Sequence, residues 1–247
     1  MDRIKEKIKT EEKGSEENEK EPDGLRLDEI KGLLDERIYK KLKEQNIEVL
    51  RPCQKKAIEK GLLKDKDLVV CTPTASGKTL VAELAILNKI LKSGKKAVYV
   101  LPLKALANEK FNEFSNKYSD LIKVGKSTSD IDSDDSFLAA YQLIIITPEK
   151  LDSLIRHGTP WIKDVDVFVI DEIHILNDPS RGPTTEVLII MLKQICPDAQ
   201  FLYLSATIGN PEMLADWLEA ELVIDNWRPV KLKKGILIKN RLEFYDD

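Results

Sequence analysis

The hydrophobic positions of this chain change their spacing after Asn46. Before that residue, apolar side chains from Leu25 to Leu42 recur every three or four positions, which predicts a helical pair. After it, short runs that are apolar at nearly every position alternate with stretches of helical spacing. The predicted strands are 67–71 (DLVVC), 97–101 (AVYVL), 122–126, 142–147 (QLIIIT), 166–171 (DVFVID), 201–205 (FLYLS) and 222–225. The predicted helices are approximately 79–91, 105–117, 150–156, 184–195 and 211–218.

Strands of this composition indicate the fold class. A strand that is apolar at nearly every position is buried on both faces, as in a parallel sheet covered by helices. We therefore predict an α/β fold, doubly wound, with a mostly parallel sheet and helices on both faces. In such sheets, ligands bind beyond the carboxyl ends of the strands. We therefore expect the ligand-binding and catalytic residues to come directly after the predicted strands.

The first residues of the chain differ in composition from the rest. Residues 1–23 hold six basic and nine acidic side chains, with Met1, Ile4 and Ile8 as their apolar residues. Such a stretch cannot bury enough surface to offset the entropy of ordering, so we predict a disordered tail or frayed helix over 1–24. The net charge of −4 counts mildly against a nucleic-acid binder, but a local patch can bind phosphate on an acidic protein.

Three other features narrow the class of protein. No apolar run reaches the roughly eighteen residues of a membrane-spanning helix, and the charged N-terminus lacks the apolar stretch of a secretory signal. Cys53, Cys71 and Cys196 lie far apart without zinc-like spacing. We interpret them as reduced cysteines of a cytoplasmic protein with no membrane partner.

A candidate phosphate-binding loop, TPTASGKT, spans 72–79 between a predicted strand and a predicted helix. Backbone N–H groups of such a loop bind phosphate, while Lys78 would contact the β and γ phosphates and Thr79 would reach Mg²⁺. Thr72 stands where the usual pattern has glycine, so a turn that merely contains Gly-Lys-Thr is the alternative. The predicted nucleotide-binding residues of this loop are Thr74, Ala75, Ser76, Gly77, Lys78 and Thr79.

Two further candidate motifs follow predicted strands. In DEIH, Asp171 is placed to hold Mg²⁺ and Glu172 to deprotonate an attacking water, whereas a strand cap before a solvated loop is the alternative. His174 alone is ambiguous, because a single histidine is more often structural. In SAT, Ser205 and Thr207 offer hydroxyls to neighbouring carboxylates, although serine and threonine end many strands.

The order and spacing of TPTASGKT, DEIH and SAT resemble motifs I, II and III of superfamily-2 helicases. Residues 50–54 (LRPCQ) are similar to the adenine-reading Q motif, which makes Gln54 a predicted nucleotide-binding residue. Residues 101–107 (LPLKALA) and 147–150 (TPEK) resemble motifs Ia and Ib. In this family a threonine at the first loop position is common.

Finer features resemble one branch of that superfamily. The histidine of DEIH marks the DExH branch, and Arg181-Gly182 with 226–230 (NWRPV) resembles its Ski-like group. The chain is similar there to the archaeal Holliday-junction-migration DNA-repair helicases, and the resemblance runs from Arg26 to the end.

The resemblance implies an ATP-dependent helicase whose RecA-like first motor domain spans 25–230, with 231–247 starting the crossing toward a second motor domain. Its cofactors would be ATP and Mg²⁺, and its partners single-stranded or forked nucleic acid, with DNA favoured over RNA, and the remaining helicase domains. It assigns catalysis to Lys78, Asp171 and Glu172, metal binding to Thr79 and Asp171, and coupling to His174, Ser205 and Thr207. The implied nucleic-acid contacts are Pro102, Lys104, Asn108, Ser127, Thr128, Thr147, Pro148, Lys150 and Arg181. Without the resemblance, we would interpret these as helix caps and solvated faces.

Three alternatives stay open at this point: another two-domain translocase, an RNA helicase of the Ski-like group, or a non-catalytic module that binds ATP or nucleic acid. No run like motifs IV to VI follows SAT, so we expect a fragment that does not unwind duplexes and hydrolyses ATP slowly at best. Trp161 and Trp217 are interpreted as core or helix-packing residues, and we expect none of the three tryptophans to stack on bases.

Overall fold

The computed structural model describes residues 24–128, 136–230, 234–238 and 241–245. Apart from Gly24, the charged tail predicted at 1–24 lies outside this part of the chain. The domain boundaries given above stay predictions.

Seven strands form one sheet in which every pair of neighbours is parallel. The strands of the described residues are β1 (Leu25–Arg26), β2 (Val49–Leu50), β3 (Leu68–Cys71), β4 (Lys96–Val100), β5 (Val124–Ser127), β6 (Leu143–Ile146), β7 (Val165–Ile170), β8 (Gln200–Ser205), β9 (Glu221–Ile224), β10 (Lys234–Ile238) and β11 (Arg241–Tyr245). The large sheet has the order β5-β6-β4-β7-β8-β3-β9, while β1 pairs with β2 and β10 with β11 in antiparallel ladders. The predicted α/β fold with a mostly parallel sheet is confirmed.

Helices follow the strands of this sheet. The α-helices of the described residues are α1 (Glu36–Glu44), α2 (Pro52–Glu59), α3 (Lys78–Ser93), α4 (Lys104–Tyr118), α5 (Pro148–Arg156), α6 (Gly182–Ile195) and α7 (Pro211–Leu218). Every strand and helix predicted after Asn46 is present to within two residues. The predicted helical pair is a 3₁₀ helix, Leu27–Leu33, followed by α1. The sequence pattern did not predict α2, which begins at Pro52, a favourable first helical position.

The sheet separates two hydrophobic cores, because successive strand side chains point to opposite faces. In β3, Leu68 and Val70 pack in one core, with side chains of α1 to α4. Val69 and Cys71 pack in the other, with side chains of α5, α6 and α7. Helices therefore cover both faces, as expected of a doubly wound domain.

The sheet order brings three predicted motifs to adjacent positions. β3 pairs with β8, and β8 pairs with β7. Because all three strands run parallel, their carboxyl ends meet at one edge of the sheet. The segment after Cys71, the residues after Ile170 and the end of β8 at Ser205 therefore lie side by side.

Some predictions about single residues can be compared directly. Trp161 is 4% exposed and belongs to a core, as predicted. Trp217, which was interpreted as a core or helix-packing residue, is 43% exposed and lines a small pocket with His174, so it does not belong to a core. The three cysteines are buried and unpaired. Within the described ranges, no helix is long and apolar enough to cross a membrane.

Candidate active site

The segment between β3 and α3 is a loop with left-handed backbone at two positions, Ala75 (φ 63°) and Gly77 (φ 107°). A β-carbon on Gly77 would lie 2.3 Å from Nε2 of Gln54 and 3.2 Å from Cδ of Arg51. Both the backbone angle and this close approach require glycine. Lys78 and Thr79 then form the first turn of α3, so the loop leads directly into a helix N-terminus.

The first turn of α2 holds the loop in place. The Gln54 side chain accepts from the Arg51 backbone N–H (2.8 Å) and donates through Nε2 to the Gly77 carbonyl (3.1 Å). Arg51 donates through its guanidinium to the Ala75 carbonyl (2.7 Å). The Cys53 thiol contacts the Ser76 carbonyl at 3.2 Å. The structure thus places Gln54 against the phosphate loop, and its contact with adenine stays a prediction.

Thr72, which departs from the usual glycine, has a structural role. Its hydroxyl lies 2.7 Å from the Ser76 hydroxyl, and both side chains are fully buried. Ser76 therefore faces inward and contributes its side chain to the loop itself. The hydrogen bond closes the loop across four residues.

Lys78 is turned toward the loop that precedes it. Its ammonium donates to the carbonyls of Thr72 (2.6 Å) and Pro73 (3.0 Å). Burial lowers the pKa of Lys78, whereas the charges of Asp171 and Glu172 act in the opposite direction. The negative charges of both carboxylates therefore stabilise the protonated form of Lys78.

The paired carboxylates follow β7 directly. One Asp171 oxygen accepts from the Tyr99 hydroxyl (2.7 Å) and the other from the Glu172 backbone N–H (2.9 Å). Glu172 itself is left-handed (φ 53°), and its carboxylate lies 3.3 Å from Nδ1 of His174. Burial first, and then the charge of Asp171, raise the pKa of Tyr99 well above its usual value. Tyr99 therefore stays a hydrogen-bond donor that orients Asp171.

A cleft of about 490 Å³ opens where these groups meet. It is lined by Arg51, Thr74, Ala75, Gly77, Lys78, Thr79, Leu101, Leu106, Glu109, Lys110, Asp171, Glu172 and Pro229. The cleft brings together the loop and the two carboxylates that the sequence predicted separately. Sequence reasoning missed Tyr99 and Lys110, although a tyrosine within an apolar strand was a weak signal for the former.

The three predicted coupling residues are not among the residues that line this cleft, and they differ in exposure. Ser205 is fully buried, its carbonyl accepts from the Thr72 backbone N–H (3.3 Å), and its hydroxyl has no hydrogen-bond partner among the described residues. Thr207 is exposed, and His174 is 46% exposed beside Glu172. Their coupling roles stay predictions.

The predicted nucleic-acid contacts at motif Ia lie on and around the first turns of α4. Lys104 and Asn108 are exposed, and Pro102 is half-buried just before the helix. Asn108 accepts a hydrogen bond from the ammonium of Lys126 (2.6 Å). Lys126 was not among the predicted site residues. Of the two residues at the end of β5, Ser127 is buried and Thr128 is half-buried.

The predicted contacts at motif Ib differ from expectation in one respect. Thr147 and Pro148 open α5, as predicted. Lys150, however, is only 1% exposed, whereas a residue that contacts nucleic acid is expected to be accessible. Its contact with nucleic acid stays a prediction.

Arg181 immediately precedes α6 and donates to the Asp178 carboxylate at 3.1 Å. The helix begins close to the DEIH segment, since a β-carbon on Gly182 would lie 2.3 Å from the Leu176 carbonyl oxygen. Glycine at this position therefore allows α6 to pack against the 3₁₀ turn that carries His174.

A parallel sheet with a phosphate-loop geometry on one strand and paired carboxylates on a nearby strand defines the RecA-like class of domains. The chain belongs to the DEAD/DEAH box helicase family, whose model matches residues 51–214.

Relatives and solved structures agree with this membership. The chain is 53% identical over 213 residues to the ATP-dependent DNA helicase Hel308 of Methanococcus vannielii, covering 83% of this chain and 28% of that protein. It is 48% identical over 223 residues to Hel308 of Pyrococcus horikoshii, covering 90% and 30%. The chain thus spans less than a third of either relative.

Among solved structures, the DUF1998 helicase MrfA bound to DNA matches with a TM-score of 0.69 and 31% identity, covering 78% of this chain and 30% of that one. MrfA bound to DNA and AMPPNP matches with a TM-score of 0.72 and 26% identity, covering 90% and 34%.

Proposed function

We propose that this chain is the ATP-binding first motor domain of a helicase that acts on nucleic acid, with DNA favoured over RNA. The observation that carries the proposal is the single cleft in which Lys78, Thr79, Asp171 and Glu172 meet beside a helix N-terminus. Family membership supports it, as do relatives named ATP-dependent DNA helicases. The cytoplasmic location and the boundary near residue 230 stay predictions.

Each residue in and next to the cleft would have a separate role in the transfer of a phosphoryl group to water. Lys78 and the backbone N–H groups of the loop bind and orient the phosphates. Glu172 accepts a proton from the attacking water. Tyr99 and the Glu172 backbone N–H hold the Asp171 carboxylate in one orientation, so this group needs little reorganisation when it acts.

The donor set also fits Mg²⁺. Thr79 offers a hydroxyl and Asp171 a carboxylate, and both line the same cleft. Mg²⁺ prefers oxygen ligands and is typically held by one or two protein groups together with phosphate oxygens and water. These two residues would hold the ion, which supplies charge neutralisation to the transferring phosphate.

The proposed function is tested by titrating the purified chain with a fluorescent ATP analogue, first with Mg²⁺ and then with EDTA. We expect saturable binding that unlabelled ATP displaces and that weakens in EDTA. A protein that shows no saturable binding in either buffer would not have the proposed site. An affinity for the analogue that is the same with Mg²⁺ and with EDTA would show that nucleotide binding does not depend on Mg²⁺.

We expect weak, largely sequence-independent binding of single-stranded nucleic acid. The candidate contacts are few and aimed at phosphate, and each neutralised phosphate of a single strand contributes about −0.7 to the slope of log K against log salt. Lys104→Gln should make this slope shallower by roughly that amount. Fluorescence anisotropy at several salt concentrations measures both.

Lys95→Gln is the matched control for this measurement. Lys95 is also exposed, but it precedes β4 and pairs with Asp166, so it lies at the opposite edge of the sheet. An equal change of slope in both variants, or strong sequence preference in the wild type, would contradict the proposed surface.

A further inference from the structure

The side chain of Lys110 extends from the middle of α4 into the nucleotide cleft. Its ammonium donates to the Thr79 hydroxyl (3.3 Å) and to the Glu113 carboxylate (2.8 Å), and the side chain is 14% exposed. Packing against the core does not explain why a largely buried lysine lies beside a proposed metal ligand. A partner on its own helix, Glu113, holds it there.

The same ammonium is linked to Asp171, the other proposed metal ligand, by the side chain of Tyr99. It lies 5.9 Å from the centroid of the Tyr99 ring, a cation–π distance. The Tyr99 hydroxyl donates to Asp171 at 2.7 Å. One charge on α4 therefore contacts Thr79 directly and Asp171 through a single aromatic side chain.

The helix that carries Lys110 also carries the proposed strand-binding side chains. α4 has 15 residues, with Lys104 at its start and Asn108 one turn later. A regular helix of this length moves as one body, so a displacement of either end reaches the other. Nucleic acid would contact the first turn of α4, and Lys110 in the middle of the same helix contacts the proposed metal ligand Thr79. Both contacts are therefore made by one rigid helix.

A second contact joins the far end of α4 to α3. Lys117 bonds the other Glu113 oxygen (2.8 Å) and the buried Glu83 of α3 (3.0 Å). Lys110 and Lys117 therefore share Glu113 as a partner and both bridge α4 to α3. They differ in what they touch on α3, because Lys110 reaches the phosphate-loop helix at Thr79 and Lys117 reaches a core carboxylate.

We propose that Lys110 is a positioning residue that couples nucleotide binding at Thr79 and Asp171 to nucleic-acid binding by α4. This inference rests on the proposed function. The coupling is reciprocal, so nucleic acid on α4 tightens nucleotide binding by the factor by which the nucleotide tightens nucleic-acid binding. Without the Lys110 charge, each ligand still binds at its own surface, and the link between the two is lost.

The experiment is a thermodynamic cycle on the purified chain. A fluorescent, non-hydrolysable ATP analogue is titrated with Mg²⁺, without and with a saturating single-stranded DNA oligonucleotide, and the ratio of the two dissociation constants is the coupling factor. We expect a factor of about 5 or more in the wild type, the lower end of typical coupling. Lys110→Met should bring it to within about twofold of unity, and Lys110→Arg should restore most of it.

Lys117→Met is the matched control, because it removes a lysine that bonds the same Glu113 without touching Thr79. We expect this variant to keep the wild-type coupling factor. Thermal unfolding of all variants verifies that each is folded at the temperature of the titration.

Five outcomes are distinguished. Coupling lost in Lys110→Met and kept in Lys117→Met supports the proposal. Unchanged coupling in Lys110→Met, equal loss in both variants, or a wild type that binds both ligands without coupling overturns it. A wild type that binds no nucleotide at all is the distinct failure of the proposed function.

Discussion

Replacing Glu172 with glutamine should leave ATP binding nearly unchanged and slow hydrolysis by roughly 10²- to 10⁴-fold, the usual contribution of a positioned general base. Glutamine has almost the same shape but cannot accept the proton of the attacking water. The structure favours this assignment over Asp171, since both Asp171 oxygens already accept hydrogen bonds while Glu172 faces the cleft beside His174.

Turnover is measured with this chain and again with a longer chain that includes the proposed second motor domain, and binding is measured with a fluorescent ATP analogue. Glu109→Gln is the matched control, because Glu109 is an exposed carboxylate that lines the same cleft. It should retain most of the activity. A Glu172→Gln enzyme with near-normal kcat, or an equal loss in both variants, would remove Glu172 from the role of base.

Much of the fold was predictable because it depends on local pattern. Strands of the parallel sheet are apolar at consecutive positions, and the helices between them keep the three- to four-residue spacing, so both emerge from the sequence to within two residues. α2 escaped prediction because a helix of eight residues beginning at Pro52 has little periodicity to show. The strand order of the sheet is set by packing between distant segments and had no local signal.

The candidate site divides in the same way. The loop and the carboxylates follow strands directly, so their positions come from chain order and from the rule that parallel strands end at one edge. Tyr99 and Lys110 are different, because their importance arises where side chains of separate elements meet, at Asp171 and Thr79. Such meetings depend on three-dimensional distance, which a one-dimensional pattern does not contain.

Burial separates two further cases. Lys150 was predicted to contact nucleic acid because of the resemblance to motif Ib, and Trp217 was interpreted as a core or helix-packing residue. The structure buries the lysine to 1% exposure and leaves the tryptophan 43% exposed. Residue type predicts average burial, whereas the actual value depends on which helix face the neighbouring elements cover.

Replacing Lys78 with alanine should weaken ATP binding by about 10- to 150-fold. The lost contact is a charge-assisted hydrogen bond to phosphate, worth about 1.5–3 kcal/mol, and each 1.4 kcal/mol is a factor of ten. The partly buried position of Lys78 supports the upper part of this range, because a charge away from bulk water is less screened. The titration uses the same fluorescent analogue with Mg²⁺ present.

The variant also removes hydrogen bonds within the protein, since Lys78 donates to the carbonyls of Thr72 and Pro73. Thermal unfolding without nucleotide measures that loss separately, so a loosened loop is distinguished from a lost phosphate contact. Lys89→Ala is the matched control, because Lys89 lies on the same helix and pairs with Asp65 away from the cleft. We expect the wild-type affinity in that control. Equal affinities of wild type and Lys78→Ala would show that this lysine does not bind phosphate, and would leave the loop as a structural turn between β3 and α3.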